Sequence, residues 1–375
     1  MWADALGVTL EEFDDLLRID QEHDVDRREF VQRAGATMAG AAFATAAGAA
    51  EFVVPGAGGD AGWLTALTRG SPRLGADDVR RLVERTAQLR RLDDVLGGSA
   101  TMQLYASEAK LTQRLIGGTS HSAATRRALM GIYAEQVQQA GWAAFDAGDS
   151  DGAARLFSDS LAAAEEANDQ ALAGNSLAFL AYQRAFLLSP DVALAEASYE
   201  RAKSSAPGRV QALLLERLAF TYAVAGNVSE TERALDLARA SLVAATGPQA
   251  PDWVFWVDAT EVDIMAGRCW SQLRRPLRAI PLLSTALAGF DDSHARDKAL
   301  YLSWLASSYA DAGEPEQAAA VTNRVIDLAA GVASERPWSR IIEVGQQLRP
   351  YRSVVDVGAV LERVETEAPG GRSVL

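Results

Sequence analysis

Sulfur and imidazole are scarce in this chain: one cysteine, Cys269, and three histidines, His23, His121 and His294, in 375 residues. A lone thiol excludes an intrachain disulfide framework, and Cys269, between Arg268 and Trp270, reads as a small core residue. The histidines are too dispersed for metal-ligand spacing. No run of about 18 strongly apolar residues is present, so no membrane span is expected. Positive charge is in deficit, with 36 Lys and Arg against 50 Asp and Glu, a net charge of −14. Such a chain repels phosphate backbones as a whole, and no direct DNA binding is expected of it. Also missing are a Ser/His/Asp order, phosphate-loop glycines and paired metal ligands. The expectation is therefore a protein without catalytic residues, cofactor or metal.

Alanine and leucine are plentiful. Hydrophobic residues make up 49% of the chain, and β-branched runs are short, which favours helix over sheet. Residues 130–169 set the pattern. Two amphipathic stretches flank a polar turn at Asp146-Ala147-Gly148-Asp149-Ser150. Gly141 and Ala144 thin one side of the first, and Ala153, Ala154, Phe157 and Leu161 recur at helical spacing in the second. Small residues opposite an aromatic let two helices lie close, as in a tetratricopeptide hairpin with its repeat of roughly 34 residues. Similar pairs follow at 170–204, 208–244, 252–289 and 295–330, turning at Ser189-Pro190-Asp191, Gly226-Asn227, Pro276 and Gly313-Glu314-Pro315. The chain is thus expected to be an all-α, tetratricopeptide-like helical-repeat solenoid over 122–375, its last helices capping the array. Residues 76–121 read as a helical lead-in, 54–75 as a Gly/Pro linker, and 1–53 as a short helical region ending in an Ala-rich helix.

Two stretches admit alternatives. Arg27-Arg28-Glu29-Phe30-Val31 ahead of an Ala/Gly-rich segment has the look of a twin-arginine export signal, which would make this an exported repeat scaffold; an Asp26-capped, tightly packed helix is the other reading. Arg80, Arg81, Arg85, Arg90 and Arg91 form a basic cluster, read either as a solvated face or as a contact for phosphate or an acidic partner.

Stacked helix pairs curve into a trough lined by first helices. Projecting the repeat register places Glu135, Gln138, Trp142, Asn175, Tyr182, Glu216, Glu261 and Arg268 on its inner wall. Aromatics among acids and amides suit an extended peptide, a small amphipathic ligand or a protein partner; the rings could equally fill helix–helix interfaces. Trp253 and Trp256 share a side of their segment, as core or as a stacking wall.

The order of motifs carries a resemblance. GWAAFDAGDSDGAARLFSDSLAAAEEAND, LRRLDDVLGG, LERLAFTYAVAGN, RRPLRAIPLLSTAL and YLSWLASSYADAGEPEQA, with DRREF before an Ala/Gly helix, resemble the XRE-type helix-turn-helix/tetratricopeptide regulators of high-GC bacteria. ALGVTLEEFDDLL resembles the closing helix of their DNA-binding domain, and the segment that would carry the recognition helix is absent from this sequence. The resemblance implies a cytoplasmic, dimeric sensor part of a transcriptional regulator, whose curvature answers to a ligand or partner held in the trough.

Overall fold

A computed structural model describes residues 73–96, 98–243, 249–332 and 334–369. The expectations placed on 1–53, Arg27-Arg28 included, and on nearly all of the 54–75 linker lie outside them. The described residues form fourteen α-helices, three short 3₁₀ turns and no strand; the sole β-type pairing among them is the isolated Arg73–Ser120 bridge.

Two lead-in helices, α1 (Ala76–Leu96) and α2 (Gly98–Gly118), precede six pairs: α3 (Ala123–Asp146) with α4 (Ser150–Ala167), α5 (Gln170–Phe186) with α6 (Val192–Ala202), α7 (Gly208–Val224) with α8 (Val228–Val243), α9 (Ala259–Gln272) with α10 (Pro276–Ala288), α11 (Ala295–Asp311) with α12 (Pro315–Ala329), and α13 (Glu335–Leu348) with α14 (Val355–Glu367). Each second helix of the first five pairs also packs on the first helix of the next pair, and first helices pack on one another in series. None of the described helices is long and apolar enough to cross a membrane.

The bends within the first five pairs share one construction. At Gly148, Leu188, Gly226, Arg274 and Gly313 the backbone turns left-handed, with φ of 88°, 57°, 77°, 52° and 78°. In each, this residue's N–H donates to the carbonyl three back and the next N–H to the carbonyl five back, as in Gly148 to Phe145 and Asp149 to Ala144. That is a Schellman closure, which satisfies carbonyls the helix end leaves open. The following helix is then nucleated by a side-chain cap or a proline. Asp149, Asp191 and Asn227 accept from the N–H groups of Gly152, Leu194 and Glu230 at 2.8, 3.0 and 3.3 Å, caps worth about 1 kcal/mol each. Pro276 and Pro315 occupy first-turn positions where no donor is needed. The left-handed positions recur at a step of about 40 residues, longer than the roughly 34 expected. The longest step, from Gly226 to Arg274, contains the connection that carries the 3₁₀ turn at Asp252–Val254.

The thin-helix reading has a direct counterpart. A Cβ on Gly141 would lie 2.7 Å from the Phe157 ring, and one on Gly267 would lie 2.5 Å from Leu283. Both glycines let the two helices of their pair approach to contact. Phe157 is fully buried and stacks on Phe179 with centroids 4.8 Å apart, a burial worth about 1.5–3 kcal/mol.

The row of pairs bends far enough that its ends meet. Asp146, at the end of α3, accepts hydrogen bonds from Ser334 Oγ and Arg336 Nε, both at 2.8 Å, across nearly the whole array. Helix α1 reaches from the first pair to the 3₁₀ turns at Asp252–Val254 and Asp292–His294. Its arginines are largely engaged: Arg85 bonds Glu108 at 2.5 and 2.7 Å, Arg90 pairs with Glu135 and Asp252, and Arg91 pairs with Asp252 at 3.0 Å. The acidic contacts weighed for this cluster are supplied by the chain itself.

Candidate functional site

Six first helices aim a row of arginines, carboxylates and aromatic rings toward one another across the inside of the array. The row starts with amides. Asn175 Nδ2 donates to Gln138 Oε1 at 2.5 Å, Gln138 Nε2 donates to Ser176 Oγ at 2.9 Å, and Arg217 Nη1 donates to Asn175 Oδ1 at 2.9 Å. The Arg217 guanidinium lies 4.1 Å from the Phe179 ring centroid. Rings continue the row: Trp142 and Tyr182 are 6.2 Å apart, Tyr182 and Phe220 5.6 Å, Phe220 and Trp304 5.7 Å.

Arg268 sits among four of these rings, 5.1 Å from Phe220, 5.7 Å from Tyr301 and 5.8 Å from both Tyr182 and Trp304. Its Nη2 donates to the Tyr182 hydroxyl at 2.6 Å. Arg340 lies 3.7 Å over the other indole neighbour, Trp304, and Arg336 lies 4.3 Å over Trp142. Cations over aromatic faces gain most when desolvated, as here.

Burial decides the ionisation of the acids. Glu216 is pushed well above the usual carboxylate range by burial and by neighbouring Glu261. Glu261, which accepts from the Tyr301 hydroxyl at 3.1 Å, is pushed up to about 7 by burial, against the pull of Arg268. Burial brings Arg217 down to about 10 and also lowers Arg340, which faces the like charge of Arg268. For Asp146 burial acts upward, but Arg336 and Arg296 outweigh it and hold the carboxyl below its ordinary value. Low dielectric makes both effects large.

The eight residues expected on the inner wall divide plainly. Gln138, Asn175, Tyr182, Glu216, Glu261 and Arg268 are buried, Trp142 half-buried, and the structure links these seven into one continuous row. Glu135 stands apart, facing Arg90 of α1. The inner wall is filled by its own side chains rather than standing open as a trough. A cleft of about 230 Å³ lies elsewhere, on the outer side between α8, α9 and α10, where Arg278 lies 3.5 Å over Trp270.

Arg217, Tyr301, Trp304, Arg336 and Arg340 belong to the row but were not among the expected residues. The last two sit one helical turn apart in ERPWSRII, a spacing that puts both on one face. Trp253 is buried in the core, whereas Trp256 is 37% exposed and donates to the Trp253 carbonyl at 3.1 Å. Cys269 is fully buried, and burial raises its thiol far above reactive values. Among the described residues no group of three or more His, Cys, Asp or Glu could hold a metal ion. No protein-family model matches the chain, and no curated protein matches it either.

Proposed function

We propose that this chain is a tetratricopeptide-like sensor, the ligand- or partner-holding part of an XRE-type regulator, acting without catalysis, in the cytoplasm, as a homodimer. The observation that carries the reading is the composition of the inner row. A helical array that only had to stand up would fill its inside with aliphatic residues, because buried ions cost more in desolvation than they return by pairing. Here Arg217, Arg268, Arg336 and Arg340 are all buried there with Glu216 and Glu261. Buried charge of this kind is characteristic of sites that recognise something.

The mechanism is a population shift. The Asp146–Arg336 contact holds the ends of the array together when nothing is bound. A peptide, small molecule or protein segment entering the row replaces internal partners such as the Asn175–Gln138 pair and favours an opened curvature. The free energy available for signalling is the difference in its affinity for the two forms. Partner choice or dimer geometry then follows curvature, and DNA is addressed through the partner rather than by this chain.

The test is retention. The chain is mixed with a random hexapeptide library and with a small-molecule extract, passed over gel filtration, and bound compounds are identified by mass spectrometry. A compound is expected that the native chain keeps, that the Asn175→Ala/Tyr182→Ala variant releases, and that changes the small-angle scattering profile. No retained compound and an unchanged profile would refute the sensor reading. Tight sequence-specific DNA binding by the chain alone would refute the assignment of DNA contact to a partner.

A further inference from the structure

We infer that the centre of the inner row is a site for one oxyanion, the carboxylate of a small organic acid or a phosphate group, held by Arg268, Arg340 and Trp304. The inference rests on the reading that the row holds a ligand, and it names that ligand's chemistry.

Two guanidinium groups from two helices converge on the indole of a third. Arg340 and Arg268 lie 3.7 and 5.8 Å from the Trp304 ring centroid. All three are nine-tenths or more buried, at 5%, 3% and 4% exposure. Buried polar groups are bonded as a rule, yet Arg268 Nε, Arg340 Nε, Arg340 Nη2 and Trp304 Nε1 meet no hydrogen-bond partner. Every one of these four atoms is a donor. Guanidinium and indole cannot accept, so what completes the site is a hydrogen-bond acceptor, and the acceptor that guanidinium forks match best is a carboxylate or phosphate oxygen.

Charge points the same way. This sector packs Arg217, Arg268 and Arg340 against Glu216 and Glu261. Burial and Glu261 push Glu216 well above the usual carboxylate range, which weakens it as a counter-charge to the three arginines, and an anion offsets their excess. The solvent side shows how Arg340 is reached. Its Nη1 donates to Glu343, whose side chain is 48% exposed. Glu343 is a tethered carboxylate already resting on the outer edge of the site, and a free oxyanion competes with it.

The test uses the full chain at pH 7 with sodium acetate, sodium succinate and inorganic phosphate, each against sodium chloride at equal ionic strength, read by thermal unfolding and calorimetry. At a concentration ten times its Kd, a bound probe shifts the folding equilibrium about 11-fold. Glu343→Gln is expected to tighten binding by releasing Arg340. Trp304→Phe, which keeps a ring and removes one donor, is expected to weaken binding about tenfold, and Arg340→Gln to abolish it. Which probe binds separates carboxylate from phosphate. If Arg340→Gln does not fold, the other two variants decide. No probe stabilising beyond chloride, or binding unmoved by Glu343→Gln and Trp304→Phe, overturns the oxyanion site. A peptide retained in the gel-filtration experiment would then leave the sensor reading standing, so the two failures are distinguishable.

Discussion

Asp146 joins the first pair to the last, and removing it tests whether the array folds as one closed unit. The carboxylate is fully buried and accepts from Ser334 and Arg336 at 2.8 Å, with Arg296 at 4.0 Å. Asp146→Ala leaves the guanidinium of Arg336, itself 3% exposed, buried beside an empty position. Breaking a buried pair by removing one partner costs about 3–5 kcal/mol, a large share of a typical stability of about 5–15 kcal/mol. Asp146→Asn keeps an acceptor for Ser334 and loses only the charge, so its cost is the smaller. The pH dependence follows from the depressed carboxyl. A carboxylate whose folded value lies below its unfolded value contributes fully above the unfolded value of about 4 and loses that contribution as pH falls through the folded one. The wild type therefore sheds stability in acid that Asp146→Asn does not have to shed. Urea unfolding followed by circular dichroism and by tryptophan fluorescence measures both effects. The two probes coincide in the wild type if the array is cooperative. An Asp146→Ala midpoint corresponding to a loss under about 1 kcal/mol, or an Asp146→Ala/Arg336→Met pair whose effects simply add, would refute the closure argument.

Two further outcomes follow from the same structure. Leu188 holds φ of 57° at a bend where three counterparts are glycine, and its side chain is 68% exposed, so Leu188→Gly relieves left-handed strain while giving up almost no packing; a gain of about 1 kcal/mol is expected, and a thermal midpoint equal to or below the wild type's contradicts it. Glu261, raised to about 7 from 4.5, binds its proton more tightly folded than unfolded, so stability is highest below the unfolded value and falls as pH rises from 4.5 through 7, by about 3 kcal/mol at most. Glu261→Gln should flatten that fall between pH 5 and 8, and an unchanged slope in urea midpoints counts against the assignment.

The bends show how much of the fold is written locally. Glycine at 148, 226 and 313 has a conformational reason to be there, and the sequence reading places turns at all three. The second and fourth bends lack that glycine: Leu188 and Arg274 are carried into the same conformation by packing of the flanking helices, and the proline that follows each is the signal that remains. Helix pairs are legible for the same reason, since each depends on neighbours a few positions away. The inner row is legible only in part. Helical register brings Gln138, Asn175, Tyr182, Glu216, Glu261 and Arg268 to one side, but whether that side is open depends on how sharply successive pairs turn. That angle comes from long-range contacts such as Ser334 and Arg336 with Asp146. Arg336 and Arg340 lie beyond 330, where the helix pairs read from the sequence end, so no repeat register assigned them to the row.

The bond between Asp146 and the start of α13 also bears on how such a protein can change over generations. An open stack of helix pairs accepts a duplicated or deleted unit, because each unit answers only to its neighbours. A stack fastened head to tail has its number of members set, much as a barrel has its number of staves. Inserting one more pair between α4 and α13 would carry Arg336 away from Asp146 and strand both, so diversification here is confined to substitution within pairs and to the loops that join them.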